Sequence, residues 1–410
     1  MIHGHHAYTK AAGLIVGLVC ALATEMLFAQ VTVTDVGRVV YPYHLAYQPG
    51  RHKVVGDSFG TNQVVTPDTD LWQLDLSNPD TSGTPSSNVS GFSNLPRTRS
   101  GWWLNYPVAV QRNLPNGFQQ DEIFAFRREW NNNAWRYNVA RYSGDGSTVN
   151  PTWATLTGLN DIVESGIALH IDHVGSWNHD LLYVAERRSD YKIASVFRID
   201  SSGNVSYVAD LPNPGHPDFR FPWLSVPRSL TVIPNDPRYG SLAGHLLVAR
   251  EGMSGTRDDN VNIPGSPLYT VNPVDNSVTV HGYVPIRIGG IQVITGTYLL
   301  ISDWGANTVR MLHVPDLGNY IGQLIAVSTA SDGTFGGLTI TPNHTPGLYL
   351  LNYDPNTGLW SSQILVDFSA YGIYGKDLSV TFVPEPASLL VLCVGLAGLA
   401  ARRKPRSQRQ

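Results

Sequence analysis

The densest group of side chains that could do chemistry lies near the middle of the chain. Three imidazoles and one carboxylate fall within ten residues there: His170, Asp172, His173 and His179. Zinc and copper accept such ligands, and His170 and Asp172 would point to the same side of a strand. His170, Asp172 and His173 are therefore candidate metal ligands. Their spacing fits no established metal motif, so a surface loop with incidental histidines is the alternative interpretation.

An acidic residue also recurs after predicted strands. The four positions are Asp57, Glu186, Asp303 and Asp354. One interpretation is a calcium ion at each position, because hard cations take oxygen ligands. The other is that each carboxylate accepts hydrogen bonds from backbone N–H groups of its own turn. We therefore predict no cofactor, with calcium as the alternative.

The elements that must position these residues form a repeat. Six segments each contain an alternating apolar strand, a turn, and a second strand ending in a small residue: Gly56, Ala125, Ala185, Ala249, Ser302 or Asn352. Intervals of 50–69 residues between these positions suit a four-stranded unit and no two-helix repeat. In the last two units we expect 290–294 to pair with 298–303, and 337–342 to pair with 348–352.

Short strands at even spacing, without an amphipathic helical window before the tail, predict an all-β fold. We expect a six-bladed β-propeller over 30–382, and a pair of β-sandwiches is the competing fold. The expected blades are 44–105, 106–165, 166–227, 228–288, 289–335 and 336–382. Residues 31–40 would add an outer strand to the last blade and close the ring. The segment 301–310 resembles the NHL repeat of six-bladed propellers.

A comparison with the regucalcin and gluconolactonase-like propellers directs attention to the starts of the first strands. That family holds a divalent metal in the central channel on Glu, Asn and Asp ligands. The comparable positions here are His44, Tyr106, Glu164, Arg228, Gly289 and Gly336. Because a hard cation needs several oxygen ligands and only Glu164 is a carboxylate, we do not expect that metal site. His44, Glu164 and Arg228 become candidate ligand contacts at the channel mouth, with a Glu164–Arg228 ion pair as the structural alternative.

The last 28 residues have the order of a sorting signal. Val383, Pro384, Glu385 and Pro386 precede an apolar run, and Arg402, Arg403 and Lys404 follow it. This order resembles the PEP-CTERM signal of Gram-negative bacteria, which implies an exosortase as partner. As a single transmembrane helix, 387–401 would span roughly 22 Å, short of a bilayer core of ~30 Å. The basic stop would lie in the cytoplasm and the body outside. The alternative is a buried helix with a basic end.

The amino-terminal end agrees with export. Lys10 and the apolar stretch 11–23 have the pattern of a secretory signal peptide, which we assign to 1–29 with cleavage after Ala29 or, alternatively, Ala23. Between the two signals, residues 30–386 contain 22 Lys and Arg against 31 Asp and Glu, a net charge of −9. An acidic body argues against nucleic acid as a partner. Cys20 and Cys393 both lie in the terminal segments, so the body has no thiol chemistry.

Together these features predict an exported cell-surface protein. We expect it to bind ligands or act as a scaffold in an exopolysaccharide matrix, because exosortase systems accompany exopolysaccharide production. The membrane would be a partner only through the tail helix, before processing. The alternative is an exported propeller enzyme, either a sugar-lactone hydrolase or a quinone-dependent sugar dehydrogenase. An ice-binding role is rejected because threonine pairs such as Thr339 and Thr341 are too sparse for a flat array.

Overall fold

Short antiparallel strands make up nearly all of the regular structure. The computed structural model describes residues 30–58, 71–91, 106–131, 134–156, 162–187, 194–212, 227–250, 252, 254–257, 262–328, 333–335, 338–373 and 379–383. Within them, 28 strands form seven four-stranded sheets, and six of these sheets are blades of a closed ring. The fold is an all-β, six-bladed propeller. The signal peptide and the segment 384–410 lie outside the described residues.

Blades 1 to 3 each use four consecutive strands, ordered from the channel to the rim. Blade 1 contains β2 (Pro42–Gln48), β3 (Lys53–Ser58), β4 (Leu71–Asp75) and β5 (Val89–Gly91). Blade 2 contains β6 (Val108–Ala109), β7 (Ile123–Asn131), β8 (Ala134–Tyr142) and β9 (Val149–Thr155). Blade 3 contains β10 (Ile162–Ile171), β11 (Leu181–Arg187), β12 (Ala194–Ile199) and β13 (Val205–Leu211).

Blades 4 to 6 use strands that are not all consecutive. Blade 4 contains β14 (Pro227–Val232), β15 (Leu246–Arg250), β18 (Ser266–Val271) and β19 (Val278–Val284). Blade 5 contains β20 (Ile288–Val293), β23 (Leu324–Ser328), β26 (Gly347–Asp354) and β27 (Leu359–Asp367). Blade 6 contains β28 (Val380–Val383), β21 (Tyr298–Asp303), β22 (Thr308–His313) and β1 (Thr32–Arg38). Short 3₁₀ helices occupy Pro237–Leu242, Pro315–Tyr320 and Phe368–Tyr371.

Blades 5 and 6 are interleaved along the chain, and the hairpin expected between 290–294 and 298–303 is not formed. After β20 the chain crosses to blade 6 for β21 and β22, and then returns to blade 5 as β23. The inner strand of blade 6 is β28, which pairs with β21. This pairing departs from the expected blades 289–335 and 336–382. Both β20 and β21 are six-residue apolar strands, so the local pattern does not choose between them as partners.

A seventh, small sheet contains the strand that was expected to pair with 348–352. It consists of β17 (Asn262–Pro264), β16 (Ser254–Arg257), β25 (Leu338–Pro342) and β24 (Gly333–Phe335), and β25 pairs with β16 and β24. The strands come from the connections between the second and third strands of blades 4 and 5. This sheet therefore joins two neighbouring blades outside the ring.

The chain termini of the body meet in blade 6. The outer strand β1 pairs with β22, the position expected for residues 31–40, while β28 supplies the inner strand. Val383, which the sequence places in the sorting signal, lies opposite Tyr298 in this sheet and is 2% exposed. The last described residue is thus part of the ring, and the segment with Pro384 begins directly after it.

The hydrophobic core is divided into six clusters, each between two successive blades. Alternation along a strand sends neighbours to different clusters: Leu45 packs between blades 6 and 1, and Ala46 between blades 1 and 2. Gly56 lies against the buried ring of Trp72, and a Cβ at this position would lie 2.3 Å from that ring. At Gly56, the small residue that marks the repeat is therefore required by the packing within blade 1.

Candidate binding channel

The six inner strands surround a channel of about 430 Å³. They run in the same direction: Gly290 adjoins Val380, and Gly296 adjoins Val383. We call the face where these strands begin the head face, and the face where they end, beyond Val383, the tail face. Because strands in a blade alternate in direction, third strands also end at the tail face, and the turns between second and third strands lie on the head face.

Near the head end, a buried carboxylate joins two blades. Asp57, at the end of β3, accepts hydrogen bonds from the His44 N–H at 2.8 Å and the Tyr106 N–H at 3.1 Å. Its second oxygen lies 3.2 Å from Nδ1 of His44. Burial raises the pKa of Asp57, but the attraction of His44 and the hydrogen bonds from His44 and Tyr106 outweigh it and lower the pKa below its usual range. Asp57 is an ionised anchor for the channel wall.

Aromatic rings and one cation complete the head end. The rings of His44 and Tyr106 lie 3.9 Å apart, and Tyr43 meets His44 edge to face at 4.4 Å. The Arg228 guanidinium donates to the Tyr43 hydroxyl, and the Tyr106 hydroxyl donates to the Arg228 carbonyl at 2.9 Å. Because blades 1 and 4 are opposite each other in a six-bladed ring, the contact between Tyr43 and Arg228 crosses the axis at this end. Burial also raises the pKa of Tyr106.

The residues predicted at the channel mouth are only partly accounted for. His44, Tyr106 and Gly289 line the channel, and Arg228 lies at its head end. The Glu164 side chain and Gly336 lie outside the described part of the structure, so a Glu164–Arg228 ion pair stays a prediction. In blade 6, the position at the start of the inner strand belongs to Ser379, which was not predicted because Gly336 was expected to begin the inner strand of the last blade.

Toward the tail end, the polar groups of the lining are mainly imidazoles, amides and hydroxyls. His173 Nε2 accepts a hydrogen bond from the Gln111 N–H at 3.0 Å, and Arg112 donates to the His173 carbonyl at 2.7 Å. The His170 and His173 rings lie 6.4 Å apart. Burial lowers the pKa of His170 to about 4, against the opposing effect of Asp172. Burial, with His170 and Arg112 nearby, lowers the pKa of His173 to about 3. Both rings are therefore neutral at pH 7.

Asp172, the third member of the predicted metal cluster, stabilises its own loop. Both carboxylate oxygens of Asp172 accept backbone hydrogen bonds within the following loop, from Val174, Gly175, Trp177 and His179 at 2.7–3.1 Å. Asp172 is fully buried, so its lone pairs are directed to these amides and away from the channel. Among the described residues, no group of three or more His, Cys, Asp or Glu side chains could hold a metal ion.

The recurring carboxylates after strands also make local contacts. Asp303 accepts from the Ala306 N–H at 3.2 Å and lies 3.4 Å from Arg310. Asp354 accepts from the Asn356 N–H and the Thr357 hydroxyl, both at 2.9 Å. The Glu186 side chain lies outside the part that the structure describes. These contacts correspond to the turn-capping interpretation at Asp303 and Asp354, whereas Asp57 links two blades.

A second repeat, which the sequence analysis did not identify, lies in the turns after the third strands. In blades 1 to 5, an aspartate accepts a hydrogen bond from the N–H of the residue two positions later, at 2.8–3.0 Å: Asp75, Asp145, Asp200, Asp275 and Asp354. The spacing Asp-x-Ser or Asp-x-Asn is its sequence signal. All five carboxylates lie on the tail face.

One serine matches a hydrolase motif by its letters only. Gly56, Ser58 and Gly60 have the spacing Gly-x-Ser-x-Gly. In hydrolases this serine occupies a sharp turn between a strand and a helix. Here Ser58 is buried at the end of β3, and its hydroxyl accepts a hydrogen bond from Trp72 Nε1 at 3.1 Å. Ser58 supports the packing of blade 1.

The comparison with family models identifies the tail. Residues 382–404 match the PEP-CTERM protein-sorting motif. The motif implies processing by an exosortase, with export and a surface or extracellular location after sorting. No helix among the described residues is long and apolar enough to cross a membrane, and residues 387–401 lie outside them. Pro384, Glu385, Pro386 and the basic stop also lie outside the described residues.

Solved structures resemble the body weakly, and no curated protein sequence matches the chain. A GH43 glycoside hydrolase aligns with 12% identity over 87% of this chain and 57% of its own, at a TM-score of 0.39. An α-L-arabinofuranosidase from Fusarium graminearum aligns with 9% identity over 80% and 84%, also at 0.39. A β-fructofuranosidase from Schwanniomyces occidentalis aligns with 11% identity over 87% and 62%, at 0.37. This chain thus spans just over half of the first of these structures, and scores this low say nothing of its chemistry.

Proposed function

We propose that the body is an exported binding protein that takes a neutral, hydroxyl-rich ligand, such as a glycan end of an extracellular polysaccharide, into its central channel. The observation that carries this proposal is the chemistry of the lining. Hydroxyl, amide and neutral imidazole groups alternate there with apolar walls, and a volume of about 430 Å³ lies within the ~300–1,000 Å³ range of small-molecule sites. The export motif supports a ligand found outside the cell.

Several polar groups of the lining can form hydrogen bonds with sugar hydroxyls. Gln292 and Thr231 offer an amide and a hydroxyl, and the neutral His170 offers its Nδ1, since its Nε2 accepts from the Val232 N–H at 3.3 Å. Val108, Val293 and Phe382 supply apolar surface for the sugar's C–H faces. Because the channel lining contains few charged groups, ligand binding would depend weakly on salt concentration.

The test is binding of the body, residues 30–386, to a panel of oligosaccharides by calorimetry. Gln292→Ala, which removes an amide from the channel, is expected to weaken binding about tenfold, since a lost hydrogen bond of ~1.4 kcal/mol is a factor of ten. Gln363→Ala removes the same group from the exposed rim and should leave affinity unchanged. Equal effects of the two substitutions, or no saccharide bound, would refute the proposal.

One observation favours an exported hydrolase as the second candidate. His44 lines the channel, and the Asp57 carboxylate lies against its Nδ1, which is the arrangement of an oriented general base. A sugar lactone would be the substrate class. Hydrolysis of a lactone by the body that is lost in His44→Gln, with saccharide binding retained, would support this candidate over simple binding.

A further inference from the structure

The place where the chain leaves the ring limits the orientation of the body relative to a membrane. Val383 is the end of an inner strand, beside the channel and on the tail face. Only Pro384, Glu385 and Pro386 separate it from the apolar segment 387–401. The distance from Val383 to residue 387 is at most ~14 Å, because an extended chain advances ~3.3–3.6 Å per residue.

That short connection limits the tilt of the ring. Three strand spacings of ~4.8 Å separate the inner from the outer strand of a blade, so the rim lies roughly 20 Å from the axis. The exit point lies on the inner strand of blade 6, so the nearest rim is three spacings away, roughly 14 Å, and the rims of the other blades are farther. An edge-on ring would need the connection fully extended along blade 6, whereas no such extension is needed when the tail face is turned toward the lipid.

The tail face also carries exposed apolar side chains. Val274, in the turn after the third strand of blade 4, is 90% exposed, and Leu359, at the matching turn of blade 5, is 60% exposed. Ile321, between β22 and β23, is 54% exposed. These three belong to consecutive blades 4, 5 and 6. Exposed apolar side chains gathered on one face suit contact with the headgroup region of a membrane.

The negative charge of the tail face indicates that only the tail segment holds this face against the membrane. The five turn aspartates of blades 1 to 5 lie there, and a negative leaflet would repel them. Of the cations on the same face, Arg51 and Arg238 pair with Asp145 and Asp236, so the face has little affinity of its own for anionic lipid. Removal of the tail would release the body.

We propose that the tail face is the membrane-facing surface of the unprocessed protein, and that the mouth of the channel on this face opens to the medium only after the tail is removed. This inference rests on the export in the proposed function and on the membrane-anchored state that the sequence predicts for the unprocessed chain. The channel is crossed by Tyr43 and Arg228 at the head end, so the mouth beside Thr295 and Arg112 is the one that the bilayer would cover.

The test uses the full chain in vesicles that contain anionic lipid and carry nitroxide headgroups. Cys20→Ser and Cys393→Ser leave no cysteine, after which Ile321→Cys or Val274→Cys places a fluorophore on the tail face. Ala306→Cys, exposed in the turn between β21 and β22, is the matched position on the head face of blade 6. We expect at least threefold stronger quenching at the two tail-face positions. A chain that ends at Pro386 should show no quenching at any position.

Each other outcome has a distinct meaning. Failure of the full chain to float with vesicles would refute the anchored state itself. Flotation with equal or stronger quenching at Ala306→Cys would overturn the orientation. Quenching that persists in the chain ending at Pro386 would overturn the claim that the tail alone holds the face to lipid. Leu359→Cys is a second tail-face position should Ile321→Cys fold poorly. None of these readouts involves saccharide, so failure of glycan binding is separately recognisable.

Discussion

At the scale of single residues, Asp57 shows how one carboxylate can define a channel wall. The sequence marks it as one of four acidic residues after strands, and both interpretations, calcium and turn capping, treat the four as equivalent. Of the three whose side chains the structure describes, Asp57 alone reaches out of its own blade, to the N–H of Tyr106. The difference arises because the neighbouring inner strand brings an unpaired donor to this carboxylate, which no local pattern encodes.

We expect Asp57→Asn to destabilise the protein by about 3 kcal/mol, since one of three hydrogen-bond donors would then face an amide NH₂ inside the core. Urea unfolding of the body measures this. Asp354→Asn, at an exposed turn, is the control and should change the free energy of unfolding by less than about 0.5 kcal/mol. A small effect at Asp57 would show that the carboxylate is not the anchor between the two blades.

At the scale of elements, the interleaving of blades 5 and 6 determines which segments of the chain pair within each blade. The pattern of apolar alternation correctly places strands at 290–294 and 298–303. These two strands are adjacent in the chain, but they do not pair with each other: β20 pairs with β23, and β21 pairs with β28. Four residues between β20 and β21 lead to another blade here. Pairing is settled by which apolar faces fit between successive blades, and that is a property of the closed ring.

Strand β28 makes a sharp prediction about truncation. A chain that ends at Pro386 should fold like the full body, whereas one that ends at Ser379 loses an inner strand with three buried apolar residues, Val380, Phe382 and Val383. Burial of each is worth roughly 1.5–3 kcal/mol, so we expect the shorter chain to lose cooperative thermal unfolding. Circular dichroism during heating measures the difference. Equal melting of the two chains would mean that the ring closes without β28.

At the scale of the whole molecule, the neutral imidazole pair should contribute to the loss of stability in mild acid. The folded pKa values of His170 and His173, about 4 and about 3, lie below the ordinary value of 6.5, so the unfolded chain binds more protons between these limits. The contribution of these two groups to stability is therefore fully present above pH 6.5 and is lost as pH decreases toward 4. The lowered pKa of Asp57 adds a further loss only below about pH 4.

The measurement is the urea midpoint between pH 7 and pH 4. The double variant His170→Gln and His173→Gln should show a clearly flatter decline than the unaltered body. Gln363→Ala, which removes no titratable group from the exposed rim, is the control and should leave the slope unchanged. Parallel slopes in all three proteins would show that the channel histidines are not the groups that titrate.

The sequence by itself determined the class of fold and the destination of the chain, because both depend on local signals. Strand alternation, small residues at even spacing, and the ordered proline, apolar and basic segments can each be recognised without knowing any long-range contact. Only the tertiary structure decided which strands share a blade, that Asp57 joins two blades, that Asp172 serves its own loop, and that the tail starts at the mouth of the channel. These depend on contacts between residues far apart in the chain, which form only when the ring closes.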